Sequence, residues 1–280
     1  MRPRVGHIQF LNCLPLYHML VRSGAVLDMD IYKDTPIALC RRLIAGKLDI
    51  SPVPAIEYAR HARDLLLLPD LTVSSNGRVM SILLVSKAPA EKLQGRPVAL
   101  TNTSATSQVL AKIILREKFG VEPAYFECPP DLPEMFREAD AALLIGDDAL
   151  RACARPGTYR QYDLGAEWKE LTGQAMVYAV WAVRRSYAEK HPDRVAMVYE
   201  AFKRSIIESL EQVDAIARDI ARWEPFTAAF LRKYFKGLQY SFGPEYRAGF
   251  KTYLARAKKI GALERIPKIE FAGCNAKRLS

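Results

Sequence analysis

The sequence predicts an α/β protein of two lobes, each built on a mostly parallel sheet flanked by helices, with a ligand cleft between them. Three observations lead to this class. The first ninety residues alternate short apolar strands with amphipathic helices, and a second strand, loop and helix series begins near Arg96. From about Ser186 the pattern is almost wholly helical to Ile260. At 280 residues, 50% of them hydrophobic, the chain can bury two medium cores, since domains run to roughly 100–200 residues.

Strands are read over 4–11 (RVGHIQFL), 29–34 (MDIYKD) and 49–54 (DISPVP). Each is a short apolar run stopped by Asn, Asp or Pro. Between the last two, Ile37, Leu39, Cys40, Leu43, Ile44 and Leu48 follow helical spacing, and Gly46 is placed to stop the helix. A helix through 55–62 and strands at 65–69 and 79–87 complete the first lobe. The second lobe opens with strand, loop and helix over 96–120, followed by AYFECP, DAALLIGDDAL and a strand over 176–185. The runs 79–87 and 177–185 are read as the two strands crossing between lobes. Lobe one is thus 1–88 plus 186–280, and lobe two is 89–185. The helical tail is broken at WEPF and again at YSFGPE, and Tyr17, Tyr58, Trp168 and Trp181 are expected in the core.

Lysine and arginine outnumber the acids 41 to 31, a net charge of +10. The cations are spread thinly. Their densest groups, Arg41-Arg42, Arg184-Arg185 and Lys258-Lys259, fall in helical or helix-flanking segments without a nucleic-acid motif. A diffuse positive field that draws in a small anionic ligand is the economical reading, with no nucleic acid as partner. No run of about 18 apolar residues predicts a membrane span. The N-terminus lacks the apolar region of a secretion signal, so a cytoplasmic location is expected. Five cysteines without a close pair argue against a disulfide framework and against a zinc site, and the thiols are expected reduced.

The loop TNTSATSQ, residues 101–108, carries five hydroxyls between Thr101 and Ser107 and leads into the amphipathic run Val109, Leu110, Ile113, Ile114. A helix start offers unpaired N–H groups and the positive end of the helix dipole. An ordinary cap by Ser104 or Thr103 needs one hydroxyl. Five exceed that need, so Thr103, Ser104, Thr106 and Ser107 form a candidate carboxylate or phosphate site. Asn12 places a polar amide at the tip of the first strand, where ligands bind in such folds; a turn residue ahead of Pro15 would use the same amide on its own backbone. Asp147 and Asp148 are adjacent and diverge, and one is expected to cap the next helix. His7, His18, His61 and His191 are scattered outside any HExxH, GxSxG or P-loop pattern, and His7 is expected to be structural.

Taken in order, VGHIQFLNCLPLY, LDISPVPAIEYAR, LPDL, GRVMSILLVSK, VALTNTSATSQ, DAALLIGDDAL, DLGAEWKELTG and MVYAVWAVRR resemble the chorismate dehydratases, which open the futalosine route to menaquinone. The likeness runs from residue 4 to about 185, and the helical tail agrees more loosely. It implies a type 2 periplasmic-binding-protein fold in a cytoplasmic enzyme, a monomer or homodimer, without metal or organic cofactor. It also implies the reaction, loss of water from chorismate to give 3-[(1-carboxyvinyl)oxy]benzoate. The matched positions imply that Asn12 and Ser81 are catalytic and that Thr103, Ser104, Thr106 and Ser107 bind a substrate carboxylate. Two alternatives stand beside it: the sister family, 1,4-dihydroxy-6-naphthoate synthase, and a non-catalytic small-anion-binding protein. The sister family carries a catalytic histidine in the loop matching LLIGDD, where this chain has Gly146.

Overall fold

Two five-stranded sheets organise the chain in a computed structural model that describes residues 2–155, 157 and 159–273. The first sheet has the order β2-β1-β3-β10-β4, with β1 at Arg4–Ile8, β2 at Asp30–Asp34, β3 at Ile50–Pro54, β4 at Leu65–Ser75 and β10 at Met176–Arg184. The second has the order β7-β6-β8-β5-β9, with β5 at Ile82–Ser86, β6 at Pro97–Thr101, β7 at Ala124–Cys128, β8 at Ala141–Ile145 and β9 at Arg160–Asp163.

Both sheets repeat one plan. Three strands run parallel, β2-β1-β3 and β7-β6-β8, and the next strand lies antiparallel to them, β10 in the first sheet and β5 in the second. Half of the pairings are therefore antiparallel, so the sheets are mixed rather than mostly parallel. The lobe limits move as well. β5, read above as part of lobe one, bonds to β8 and β9; β10, read as part of lobe two, bonds to β3 and β4. A fully buried apolar strand reads as a continuous run in either sheet, so its composition does not name its partner.

Helix starts follow local chemistry. α2 (Pro36–Ile44) opens with Pro36 at its first position and is capped by the Thr35 hydroxyl, which accepts from the Ala38 N–H. In the tail, α9 (Pro192–Glu211) packs on α1 (Leu14–Arg22), and α11 (Ala228–Gly237) begins after the WEPF break. α12 (Pro244–Lys259) begins at the proline of YSFGPE. Tyr17, Tyr58, Trp168 and Trp181 are all buried, as their sizes predict. No helix among the described residues is long and apolar enough to cross a membrane.

The connection from β4 to β5 is held by one carboxylate. Asp163 accepts from the N–H groups of Val79 and Met80, and it caps α7 (Leu164–Thr172) through Gly165 and Ala166. Met80 sits at φ 63°, a left-handed geometry that shortens the strand read over 79–87 to β5 alone. This clamp fixes the residue that follows it, Ser81.

Candidate active site

A cavity of about 40 Å³ lies between the sheets. Ile8, Phe10, Asn12 and Pro54 face it from the side of the first sheet; Ser81, Ser104, Ser107 and Gly146 face it from the side of the second. It lies at the C-terminal ends of β1, β3 and β8, the ends where α/β folds bind ligands. A larger depression of about 1050 Å³ runs between the end of α3 (Ala55–Arg60) and residues 261–270, but it is open and holds none of the sequence-predicted residues.

Asn12 is not on the strand. β1 ends at Ile8, and Asn12 occupies a single 3₁₀ turn, Leu11–Cys13, that leads directly into α1 with Pro15 near its start. Its backbone carbonyl accepts from the Tyr240 hydroxyl at 2.9 Å. Its side-chain oxygen is buried with no hydrogen-bond partner among the described residues. A buried, unpaired amide oxygen costs free energy, on the order of 1–3 kcal/mol, so a hydrogen-bond donor that reaches it is favoured. It is not satisfying its own turn.

Ser81 is 2% exposed, and its hydroxyl donates to the Val79 carbonyl at the long distance of 3.5 Å. The Tyr234 hydroxyl is buried beside it without a well-aligned partner, and burial drives that phenol well above its ordinary range, so it stays protonated. Tyr234 on α11 was not visible as a site residue because nothing in its helical spacing separates it from core.

Of the four candidates Thr103, Ser104, Thr106 and Ser107, two reach the cavity. α4 (Ala105–Glu117) is capped by Ser104, whose hydroxyl accepts from the Ser107 N–H and lies 3.1 Å from the Ser107 hydroxyl. Both serines line the cavity. By helix geometry the N–H groups of Ala105 and Thr106 have no acceptor within the helix. Thr103 and Thr106 are used elsewhere. Thr103 bonds to the Thr101 hydroxyl at 2.8 Å, and the Thr106 hydroxyl accepts from the Ile56 N–H at 3.2 Å, tying α4 to α3. Sequence counts hydroxyls but does not say which face of the first turn each one takes.

Gly146 and Asp147 open α6 (Gly146–Ala154), and the cap expected from Asp147 or Asp148 is not formed. The residue at the cap is Ile145, so no aspartate caps this helix. Instead the Asp147 carboxylate accepts from the Leu11 N–H at 3.0 Å, a contact 136 residues apart that joins α6 to the turn bearing Asn12. Gly146 has φ 60°, and a Cβ there would lie 2.7 Å from Cγ of Phe10. The Phe10 ring thus fills the space a side chain at 146 would need. His7 stacks on Tyr17, with ring centroids 3.5 Å apart, and burial together with Lys33 pushes its pKa down to about 4, so it is neutral at pH 7. Among the described residues no three His, Cys, Asp or Glu side chains gather in a way that could hold a metal ion.

Burial pushes the Asp147 carboxyl up to about 6; the Leu11 N–H and Arg151 oppose this, while Glu224 and Asp148 reinforce it. An acid with a raised pKa stabilises the fold in full below its ordinary value, and that stability is lost as pH rises from about 4 through about 6. Asp147→Asn keeps an acceptor for Leu11 but does not titrate. Urea unfolding across this window is expected to show the wild type losing up to about 3 kcal/mol relative to the variant. Parallel pH profiles would mean that Asp147 titrates as an ordinary surface acid.

The chain was compared with known proteins. The model of a family described as menaquinone biosynthesis matches residues 3–259. The chain belongs to this menaquinone-biosynthesis family. A curated member, chorismate dehydratase of Thermus thermophilus, is 32% identical over 269 residues, covering 90% of this chain and 94% of that protein. The 1,4-dihydroxy-6-naphthoate synthase of the same organism is 24% identical over 91% of this chain and 92% of its own length. Among solved structures, a protein of Archaeoglobus fulgidus superposes with a TM-score of 0.76 at 17% identity, over 94% of this chain and 98% of its own. The alkanesulfonate-binding protein SsuA of Xanthomonas axonopodis superposes with a TM-score of 0.65 at 19% identity, over 97% and 96%. The fold of this family member is therefore that of the periplasmic binding proteins, in agreement with the expectation from sequence. It is an enzyme of menaquinone biosynthesis by family.

Proposed function

We propose that the chain is a chorismate dehydratase, a hydro-lyase that removes water from chorismate to give 3-[(1-carboxyvinyl)oxy]benzoate. The observation that carries this reading is the Asn12 side-chain oxygen, buried without a hydrogen-bond partner among the described residues at a cavity it shares with Ser81 and with the serine hydroxyls at the start of α4. Similarity to the Thermus dehydratase over nine-tenths of the chain supports the substrate.

Chorismate carries two carboxylates, and a ring hydroxyl sits one carbon from the ether-bearing carbon. Removal of the proton at the ether carbon leaves an anion spread through the neighbouring double bond into the ring carboxylate. The hydroxyl then departs and the ring becomes aromatic. Aromatisation supplies most of the driving force, so the protein's task is orientation and hydrogen bonding rather than strong acid chemistry.

In this scheme Asn12 and Ser81 hold the leaving hydroxyl or the enolpyruvyl group, Ser104 and Ser107 with the α4 N-terminus hold a carboxylate, and the substrate's own enolpyruvyl carboxylate takes the proton. Thr103 and Thr106 shape the loop from behind. A cavity of about 40 Å³ is far below the roughly 300 Å³ of small ligand pockets. The lobes must part to admit the substrate and close over it, which excludes water from the carbanion.

The sister synthase activity is disfavoured by Gly146, where the Phe10 ring occupies the place an imidazole would need. The test is incubation of the chelator-treated protein with chorismate, followed by mass spectrometry and ultraviolet spectroscopy. A product lighter by one water, with the absorbance of a substituted benzoate and formed with turnover, is expected. Chorismate recovered unchanged would overturn the dehydratase reading, whether it binds or not.

A further inference from the structure

At the opposite end of the first sheet from the cleft, a second cavity of about 280 Å³ is lined by five cations: Arg2, Arg4, Arg184, Lys190 and Arg194. The acid among its lining residues is Asp49, 3% exposed and fully engaged. Asp49 accepts from the Arg4 backbone N–H at 2.9 Å and from Arg4 Nε and Nη2 at 3.0 and 2.7 Å, and from Arg184 Nη2 at 2.7 Å. Arg184 Nε donates in addition to the Leu48 carbonyl at 2.9 Å.

These contacts pin both guanidinium planes and leave Nη1 of each without a partner among the described residues. Arg2, Lys190 and Arg194 form no ion pair among those residues, although Asp28 and Asp193 border a neighbouring depression beside Arg2 and Arg194. Tyr187 and His191, with ring centroids 4.8 Å apart and planes inclined by 51°, also line the hollow.

Cations gathered around one hollow repel one another unless a counter-charge enters. Here two of them are held rigidly by a buried carboxylate that has no further lone pair to offer the others. Pinned guanidinium forks with unused donors suit phosphate oxygens, and the charge exceeds what a single phosphate would neutralise. We propose that this cavity is a second anion site that binds a diphosphate group. Arg4 opens β1, whose last residue, Ile8, lines the cleft cavity, and Asp49 precedes β3, whose last residue, Pro54, does the same. Five residues of extended chain put the two sites roughly 15 Å apart. Occupancy of one therefore leaves the other open.

The test is isothermal titration calorimetry of the full chain with inorganic pyrophosphate and, separately, with ADP, at low and at physiological ionic strength. Both are expected to bind, more weakly at higher salt. The double variant Lys190→Glu/Arg194→Glu is expected to weaken both at least about tenfold, and Lys190→Ala, at an exposed position, to weaken them less. Circular dichroism checks that the double variant folds. Tighter binding of ADP than of pyrophosphate would assign a nucleotide; equal binding would assign the diphosphate group alone, and either supports the proposal. No binding of either probe, unchanged binding in the variants, or displacement of pyrophosphate by chorismate would overturn it. The binding readout does not depend on the reaction in the cleft.

Discussion

Asn12→Asp is expected to lower turnover of chorismate by about 100-fold or more while the protein remains folded. The substitution keeps the shape of the side chain but exchanges the amide N–H₂ for a second acceptor oxygen, so position 12 no longer offers a donor and only the Ser81 hydroxyl remains to meet the departing group. It also adds a negative charge to a cavity that must receive a dianion. Asn12→Ala removes the donor without the charge, and the difference between the two variants separates the lost hydrogen bond from repulsion. Ser81→Ala is expected to cost about tenfold to 100-fold, since one hydrogen bond to a charged or developing group is worth roughly 1.5–3 kcal/mol. Steady-state kinetics with circular dichroism on each variant checks both. Near-normal turnover in Asn12→Asp and in Ser81→Ala together would remove these residues from the mechanism.

Gly146→Ala is expected to be costly both to stability and to turnover. At φ 60° any side chain pays the left-handed backbone penalty of roughly 1–2 kcal/mol. The added Cβ would also lie 2.7 Å from the Phe10 ring, and overpacking of this kind costs roughly 1–3 kcal/mol. Phe10 stands two residues from Asn12, so the ring cannot yield without moving the turn that carries the amide. The expected result is a lower urea midpoint together with a turnover loss, partly restored in the double variant Phe10→Ala/Gly146→Ala, where the clash is gone but the backbone strain persists. Gly146→His is expected to lose dehydration without gaining the sister activity, because the imidazole would displace Phe10 rather than enter the cavity. A Gly146→Ala protein with native stability and native turnover would show that the Phe10 ring moves aside freely.

The site residues differ in how readable they were. A cap by Ser104 or Thr103 was legible from their place before an apolar helical run, and Ser104 takes that role, with Ser107 beside it. Thr103 and Thr106 have the same side-chain chemistry in the same loop. What distinguishes them is which neighbour packs against each, Thr101 in one case and Ile56 in the other. A cap by one of Asp147 and Asp148 is what the sequence predicts, because capping is what an aspartate near a helix start most often does. The actual partner of Asp147, the Leu11 N–H, lies 136 residues away, beyond the reach of any local pattern.

By itself the sequence determined the alternation of strand and helix, the helical spacing from Ile37 to Leu48, a helix start at Thr103 or Ser104, the breaks in the helical tail, and the burial of its largest aromatic residues. These follow from hydrophobic period, proline and glycine chemistry and side-chain capping, all of which act within a few residues. The tertiary structure alone decided that β5 joins the second sheet and β10 the first, because a strand buried on both faces is the same apolar run in either place. It also decided that the Asn12 side-chain oxygen has no partner among the described residues, that the Phe10 ring fills the space at Gly146, and that Arg2, Arg4, Arg184, Lys190 and Arg194 surround one hollow. Each of these depends on distance between segments far apart in the chain, which packing sets and sequence spacing does not encode.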